Sequence, residues 1–292
     1  MNLRVSRRTI LITSLLVVVP PVAAQADVSE SIARGDESYR QRAEGHRGRR
    51  AQPQPIQQAI AAYTEALDTD PESLEARWKL LRALYFQGEF VLDDDVARLA
   101  LFEKGREIAD VGRQQIERQY GLTEDSLEMK PEQVAEAIGP DSLAAEIYFW
   151  SATHWGLWGR YRGKIAAAKQ GVATKIRKFA EIVILLDETV QNAGGHRILG
   201  RLNAEAPKIP LFTGWIDRDT AIAELRRALE LAPDDLLTQL FLAEALLEFR
   251  PERKEEARAI LEAITASDPS VTFLVEDTKT IEDARRVLAE TE

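Results

Sequence analysis

From residue 56 onward the apolar residues of this chain recur at helical spacing, and turn residues break the pattern at intervals. The breaks fall at Asp70-Pro71, Gly88, Gly121, Gly139-Pro140, Gly194-Gly195, Ala232-Pro233 and Asp268-Pro269. Between two of them Leu236, Leu240, Ala243 and Leu247 form one stripe with Phe241 beside it, which is the buried face of a helix. Asp141 or Ser142 is placed to cap a helix starting at Leu143, and Asp217 or Asp219 one starting near Thr220. The sole strand-like run is Val271-Thr272-Phe273-Leu274-Val275, so the pattern predicts an all-α protein.

Two stretches share more than a period. Ala59, Tyr63, Ala66 and Pro71 have the same offsets as Ala221, Leu225, Ala228 and Pro233, and a third copy runs Ala257, Leu261, Ile264, Pro269. Alanine stands where a neighbouring helix must approach closely, and a larger residue where a hole must be filled. This resembles the helix–turn–helix of a tetratricopeptide repeat. One such unit cannot bury its stripe alone, so several must stack into an α-solenoid. Residues 96–192 are expected to supply degenerate, elongated middle repeats of the 56–292 helical-repeat domain. Such arrays bind and scaffold far more often than they catalyse.

The first 26 residues read as a secretory signal peptide. Arg4, Arg7 and Arg8 precede the apolar run of residues 10–19, and Ala24-Gln25-Ala26 is a small-x-small cleavage site. The run is shorter than the roughly 20 residues of a spanning helix, though an uncleaved anchor is the alternative. The arginine pair leaves ordinary and twin-arginine export both open. With no cysteine, the chain has neither a disulfide nor a lipidation site of that kind. A periplasmic location is the expectation, without stable membrane insertion after cleavage. Residues 27–55 are expected to form a flexible segment, since the stretch 40–55 is polar, basic and closed by Pro53 and Pro55, with a basic tether for an acidic partner as the alternative. Residues 1–26 carry three arginines and no acid, so their removal takes the formal charge from −10 to −13. That acidity argues against nucleic acid and against an anionic membrane surface as partners.

Catalytic and metal chemistry find little footing. His46, His154 and His196 are scattered, with no metal-binding spacing, and no nucleophile elbow occurs. Gly159-Arg-Tyr-Arg-Gly163-Lys164 imitates a phosphate loop but is short and follows a helix. Asp93-Asp94-Asp95 reads as a solvated turn rather than a cation loop. No catalytic residue, metal or cofactor is therefore assigned. The aromatic run from Tyr148 to Arg162 is richer, holding Trp150, Trp155 and Trp158 beside Arg160, Arg162 and Lys164. These six are the candidate ligand-binding residues: rings and positive charge within two helical turns suit an anion with a hydrophobic body. The alternative is that the rings are core. Lys164, Lys169, Lys175, Arg177 and Lys178 follow as a basic island, either a binding face or a solvated one.

At Gly194-Gly195-His196-Arg197-Ile198-Leu199-Gly200, followed by Pro207, Gly214 and the Ala221–Pro233 repeat, the chain resembles the T-component family, TatT. These tetratricopeptide-like proteins are associated with tripartite ATP-independent periplasmic (TRAP) transporters. Phe149-Trp150 and Ala152 match the family's central aromatic pair, and the likeness runs over residues 56–265. It implies an all-helical, non-enzymatic periplasmic protein. It further implies a homotrimer with a ligand-sized channel, and a substrate-binding protein as partner, whose substrates are organic acids or other hydrophobic anions. The missing lipidation cysteine departs from known lipoprotein members. The residues themselves give the Gly194-Gly195 pair as a helix end needing positive φ, a structural corner. Arg197 is then placed to cap carbonyls or to hold an acid across the repeat interface. A general periplasmic scaffold for envelope assembly is the other function the repeats allow.

Overall fold

The structure, a computed structural model, describes residues 22–122, 126–209 and 213–291. The expected export signal lies outside these residues, apart from the backbone of 22–26. The described chain is a succession of α-helices with short 3-10 turns: α1 (Val22–Arg40), α2 (Pro53–Thr69), α3 (Leu74–Phe90), α4 (Asp95–Gln119), α5 (Pro131–Ile138), α6 (Ser142–Arg162), α7 (Lys164–Lys169), α8 (Val172–Asp187), α9 (Val190–Glu205), α10 (Arg218–Leu231), α11 (Leu236–Phe249), α12 (Lys254–Ala266) and α13 (Leu274–Glu290). Consecutive long helices pack side by side, and no strand occurs among the described residues. The protein is an all-α helical-repeat solenoid. The strand-like run at 271–275 is instead the turn into α13, with Val271 in solvent and Val275 in the core.

The alanine, leucine, isoleucine and tyrosine positions of the repeats are buried, while the prolines stand in the turns. Ala59, Tyr63 and Ala66 on α2, Ala221, Leu225 and Ala228 on α10, and Ala257, Leu261 and Ile264 on α12 are all at 0 % exposure. The helices start where capping chemistry places them. Asp141 accepts from the amides of Leu143 and Ala144, and Asp217 from that of Thr220. Asp94 caps α4 through Ala97, while Asp95 and Asp93 pair with Arg98 and Arg50. The aspartate trio is thus a capping turn.

The middle is built differently. α4 runs for 25 residues and α6 for 21, and α6 packs against α3, α4, α8 and α9. Here glycines admit the neighbour. A Cβ on Gly105 would lie 2.2 Å from the His154 ring, and one on Gly88 2.3 Å from the Phe102 ring. The Gly194-Gly195 pair follows the same logic, which corrects the expectation of a positive-φ helix end. Both glycines lie within α9, and a Cβ on Gly194 would meet the Phe149 ring at 2.3 Å. Gly200 likewise lies against Leu225, at 2.5 Å. The left-handed residues stand just before the pair, at Gln191, Asn192 and Ala193, with φ of 52°, 56° and 55°.

Residues 27–55 also depart from the expected flexible segment. α1 packs along α2 through Val28 and Ile32, and Gly35 lets the Tyr63 ring sit against its backbone. The basic stretch that follows finds its acids within the chain. Arg42 is buried, donates to Glu276 at 2.8 Å and bonds the carbonyl of Thr272, while Arg49 donates to Asp283 at 3.1 Å. Val275 of α13 completes the core around Ile56, Tyr63 and Phe86. The last helix therefore closes against the first repeat, and the solenoid returns on itself.

Candidate functional site

Closure leaves a cavity of about 2230 Å³ on the inner face, walled by residues of α1, α3, α6, α8, α9, α11 and α13. The sequence of α6 explains the hollow. Its cavity side carries Phe149 and Trp150 at one end and Arg160 at the other, and between them Ala152, Thr153, Gly156 and Gly159 offer little side-chain volume beside Leu157. The other large residues of the helix, Tyr148, Trp155 and Trp158, lie buried away from the cavity lining. Leu157, Ile198, Leu202, Leu240 and Phe241 add apolar wall.

Charge on the wall is mixed but skewed. Lys79, Arg82, Arg160, Lys164, Arg197 and Arg201 outnumber Asp36, Glu89 and Glu205 up to α9, while Asp234, Asp235, Glu244, Glu248, Glu276 and Asp277 outnumber Arg218, Lys279 and Arg286 beyond it. Several pair across the repeat interfaces, including Arg201 with Glu244 at 2.5 Å and Arg197 with Asp235 at 3.5 Å. Some cations lie over rings. The Arg82 guanidinium is 3.8 Å from the Tyr39 ring centre and 4.8 Å from that of Trp78, and Arg201 is 4.1 Å from Phe241.

The left-handed turn of Gln191 and Asn192 lines the same cavity. Non-glycine residues pay roughly 1–2 kcal/mol each for that conformation, so it persists only where the surroundings hold it. Gln191 donates to both Glu146 carboxylate oxygens at 2.9 Å, and Arg197 holds the carbonyls of Gln191 and Asn192 at 3.0 and 3.1 Å. Trp150 also donates to Glu146, at 3.1 Å. Burial raises the Glu146 pKa, and the Gln191 and Trp150 hydrogen bonds oppose that rise.

The structure divides the six candidate residues. Trp150, Arg160 and Lys164 line the cavity. Trp155 and Trp158 do not: they are 4 % and 2 % exposed and pack edge to face against each other, with Arg106 over both rings. Lys175 covers Trp155 at 3.8 Å, and its burial lowers its pKa. Arg162 points into solvent away from the cavity lining. Helical geometry is the reason, since residues five and eight positions after Trp150 fall on other faces of α6. The basic island disperses likewise: Arg177 pairs with Glu181 and Lys178 bonds the carbonyl of Leu127. Of the motif residues, Arg197 lines the cavity, Gly194, Gly195, Leu199 and Gly200 pack α9, and the Pro207 carbonyl accepts from Thr213 at 2.5 Å in the following turn. Sequence reasoning missed Tyr39, Arg82, Arg201 and Phe241. The spacing of Trp78 and Arg82 on one helix face was a usable signal, whereas Arg201 and Phe241 lie too far apart in the chain to give one.

Comparison with known proteins agrees with this geometry. Residues 217–272 match the model of the tetratricopeptide repeat. That span covers α10, α11 and α12, where the alanine–leucine pattern is most regular. The protein is tetratricopeptide-like, and tetratricopeptide repeats are protein-interaction scaffolds, typically without catalytic activity of their own. None of the curated proteins compared matches the chain. No helix among the described residues is long and apolar enough to cross a membrane.

Proposed function

We propose that this tetratricopeptide-like protein is a non-enzymatic periplasmic accessory component of TRAP-type uptake, which holds a hydrophobic organic anion in its central cavity and docks a substrate-binding protein. The observation that carries the proposal is the cavity itself, with Phe149, Trp150, Leu202 and Phe241 as apolar wall and Arg160, Lys164 and Arg197 beside them. An apolar enclosure with convergent cations favours an amphiphilic anion. The export-signal pattern and the Gly194–Gly200 motif supply the setting. Titration with aliphatic and aromatic carboxylates, followed by tryptophan fluorescence and melting temperature, tests the ligand. An acid at 100 times its dissociation constant is expected to add roughly 2.7 kcal/mol of stability. Lys164→Ala, on an exposed residue, is expected to weaken that gain and leave the unliganded melt unchanged. Mass spectrometry of the periplasmic fraction is expected to find an N-terminus at Asp27, and a substrate-binding protein to co-purify.

The size of the cavity favours a second occupant. At about 2230 Å³ it exceeds the ~300–1,000 Å³ of ordinary small-molecule pockets, and so accommodates a peptide segment. If no acid shifts either signal while a periplasmic partner binds, the protein is a scaffold for envelope assembly.

A further inference from the structure

A second, smaller pocket of about 200 Å³ opens beside the central cavity and has a different character. It is lined by Arg49, Arg50, Arg98, Arg160 and Lys279, with Glu89 and Tyr161. These residues come from the loop before α2, the starts and ends of α3, α4 and α6, and from α13, so five distant parts of the chain converge there. Folding gathers these cations in a protein of net charge −10. Like charges brought together repel, and the local acids compensate unevenly. Asp93 and Asp95, which pair with Arg50 and Arg98, are 79 % and 76 % exposed, where ion pairs contribute little. Asp283 is engaged by both Arg49 and Lys279. The sole carboxylate on the lining, Glu89, is shared between Tyr161 at 3.3 Å and Arg160 at 3.8 Å. Burial, and then the neighbouring Arg98 and Arg49 guanidiniums, hold the Arg50 pKa below its ordinary value.

We infer that this pocket is an oxyanion site, which takes a phosphate, sulfate or carboxylate group on the guanidiniums of Arg50, Arg98 and Arg160 and the ammonium of Lys279. Guanidinium groups match the oxygen spacing of such anions; Arg50 and Arg98 also hold the Leu92 carbonyl, which fixes them in place and leaves part of each donor set for the anion. The lining is charged or polar apart from the Tyr161 ring, and so offers an apolar body almost no wall. Because Glu89, Arg160 and Lys279 also line the central cavity, the group is either a free small anion or the head of a longer molecule lying in that cavity. The second source rests on the proposed cavity ligand, whereas the first does not.

The test is thermal denaturation and calorimetry of the full chain with inorganic phosphate, inorganic sulfate and a long-chain alkyl carboxylate, each against chloride at equal ionic strength. Phosphate or sulfate is expected to raise the melting temperature above the chloride control. Arg160→Gln and Lys279→Gln are each expected to weaken that binding about tenfold or more. Lys104→Gln, an exposed cation elsewhere, is expected to leave it unchanged. A free anion as occupant gives this result without any response to the alkyl carboxylate. A head group gives a carboxylate response that falls about tenfold or more in Arg50→Gln, a change on the small pocket and not on the central cavity. If phosphate and sulfate act no differently from chloride and the carboxylate response is absent or unchanged in Arg50→Gln, the site does not exist. An unchanged carboxylate response would still leave the central cavity as a binding site.

Discussion

The flanking repeats and the middle of the molecule solve one problem with different residues. In α2, α10 and α12 a helix is brought close by alanine and the gap is filled by Tyr63, Leu225 or Leu261, all at 0 % exposure. In α4 and α9 the close approach falls to Gly105, Gly112, Gly194 and Gly200, and the filler is a ring or a long side chain from the neighbour. Gly105 and Gly112 of α4 admit His154 and Ile147 of α6, and Tyr148, Trp155 and Trp158 lie buried in the surrounding core. The cavity side of α6, at Ala152 and Gly156, is left empty. The small residues of the irregular middle thus help to make the cavity.

The sharpest way to break this comparison is to remove the bulk. Trp158→Ala is expected to cost about 3–5 kcal/mol in urea denaturation, since the ring is enclosed and its cavity cannot collapse. A loss below that of an ordinary surface substitution would mean that the rings of α6 do not form the core.

Acid tests the same region. Burial pushes the His154 pKa down to about 4, although Nε2–H donates to the Leu81 carbonyl at 3.0 Å. The folded protein then resists a proton that the unfolded chain accepts below its ordinary value of about 6.5. Stability is therefore full above pH 6.5 and falls toward pH 4, by about 3 kcal/mol at most from this residue. α10 to α13 hold no histidine, so hydrogen exchange at pH 4.5 (about one half-unit above the folded value) is expected to quicken first around α3, α4 and α6. His154→Gln is expected to flatten that part of the profile.

Glycine and alanine should behave oppositely in the two regions. Gly105→Ala places a methyl against the His154 ring and is expected to cost about 1–3 kcal/mol, although the same change on an open helix stabilises. Ala228→Gly in the regular repeat is expected to cost roughly 0.5–1 kcal/mol. The smallest expected effect is at a helix start: Asp217→Ala removes the bond to the Thr220 amide, for about 1 kcal/mol or less. Chemical denaturation of the three variants checks the order.

The same contrast explains what was legible in the sequence. Ala221, Leu225 and Ala228 carry their packing role in their spacing, because a regular repeat meets its neighbour at a fixed offset. Asp141 and Asp217 were legible for a similar reason, since a cap acts within three residues. Gly194 and Gly195 were legible as special positions but not in kind: glycine signals both a turn and a close approach, and the Phe149 ring that decides between them lies 45 positions away. The segment Arg40–Arg50 read as a solvated linker because its acids, Glu276 and Asp283, lie at the other end of the chain. Of the six candidate site residues, Trp150, Arg160 and Lys164 were placed on the cavity, and the face of α6 separated the others.

The central claim is that the closed solenoid encloses a binding cavity. Crystals grown with a long-chain carboxylate carrying bromine at its tail end test it most directly. The account predicts an anomalous bromine peak inside the cavity, against the wall formed by Phe149, Trp150, Leu202 and Phe241, with the carboxylate on the cationic side. Crystals at saturating ligand with no bromine in the cavity, or with bromine solely on the outer surface of the helices, would contradict it.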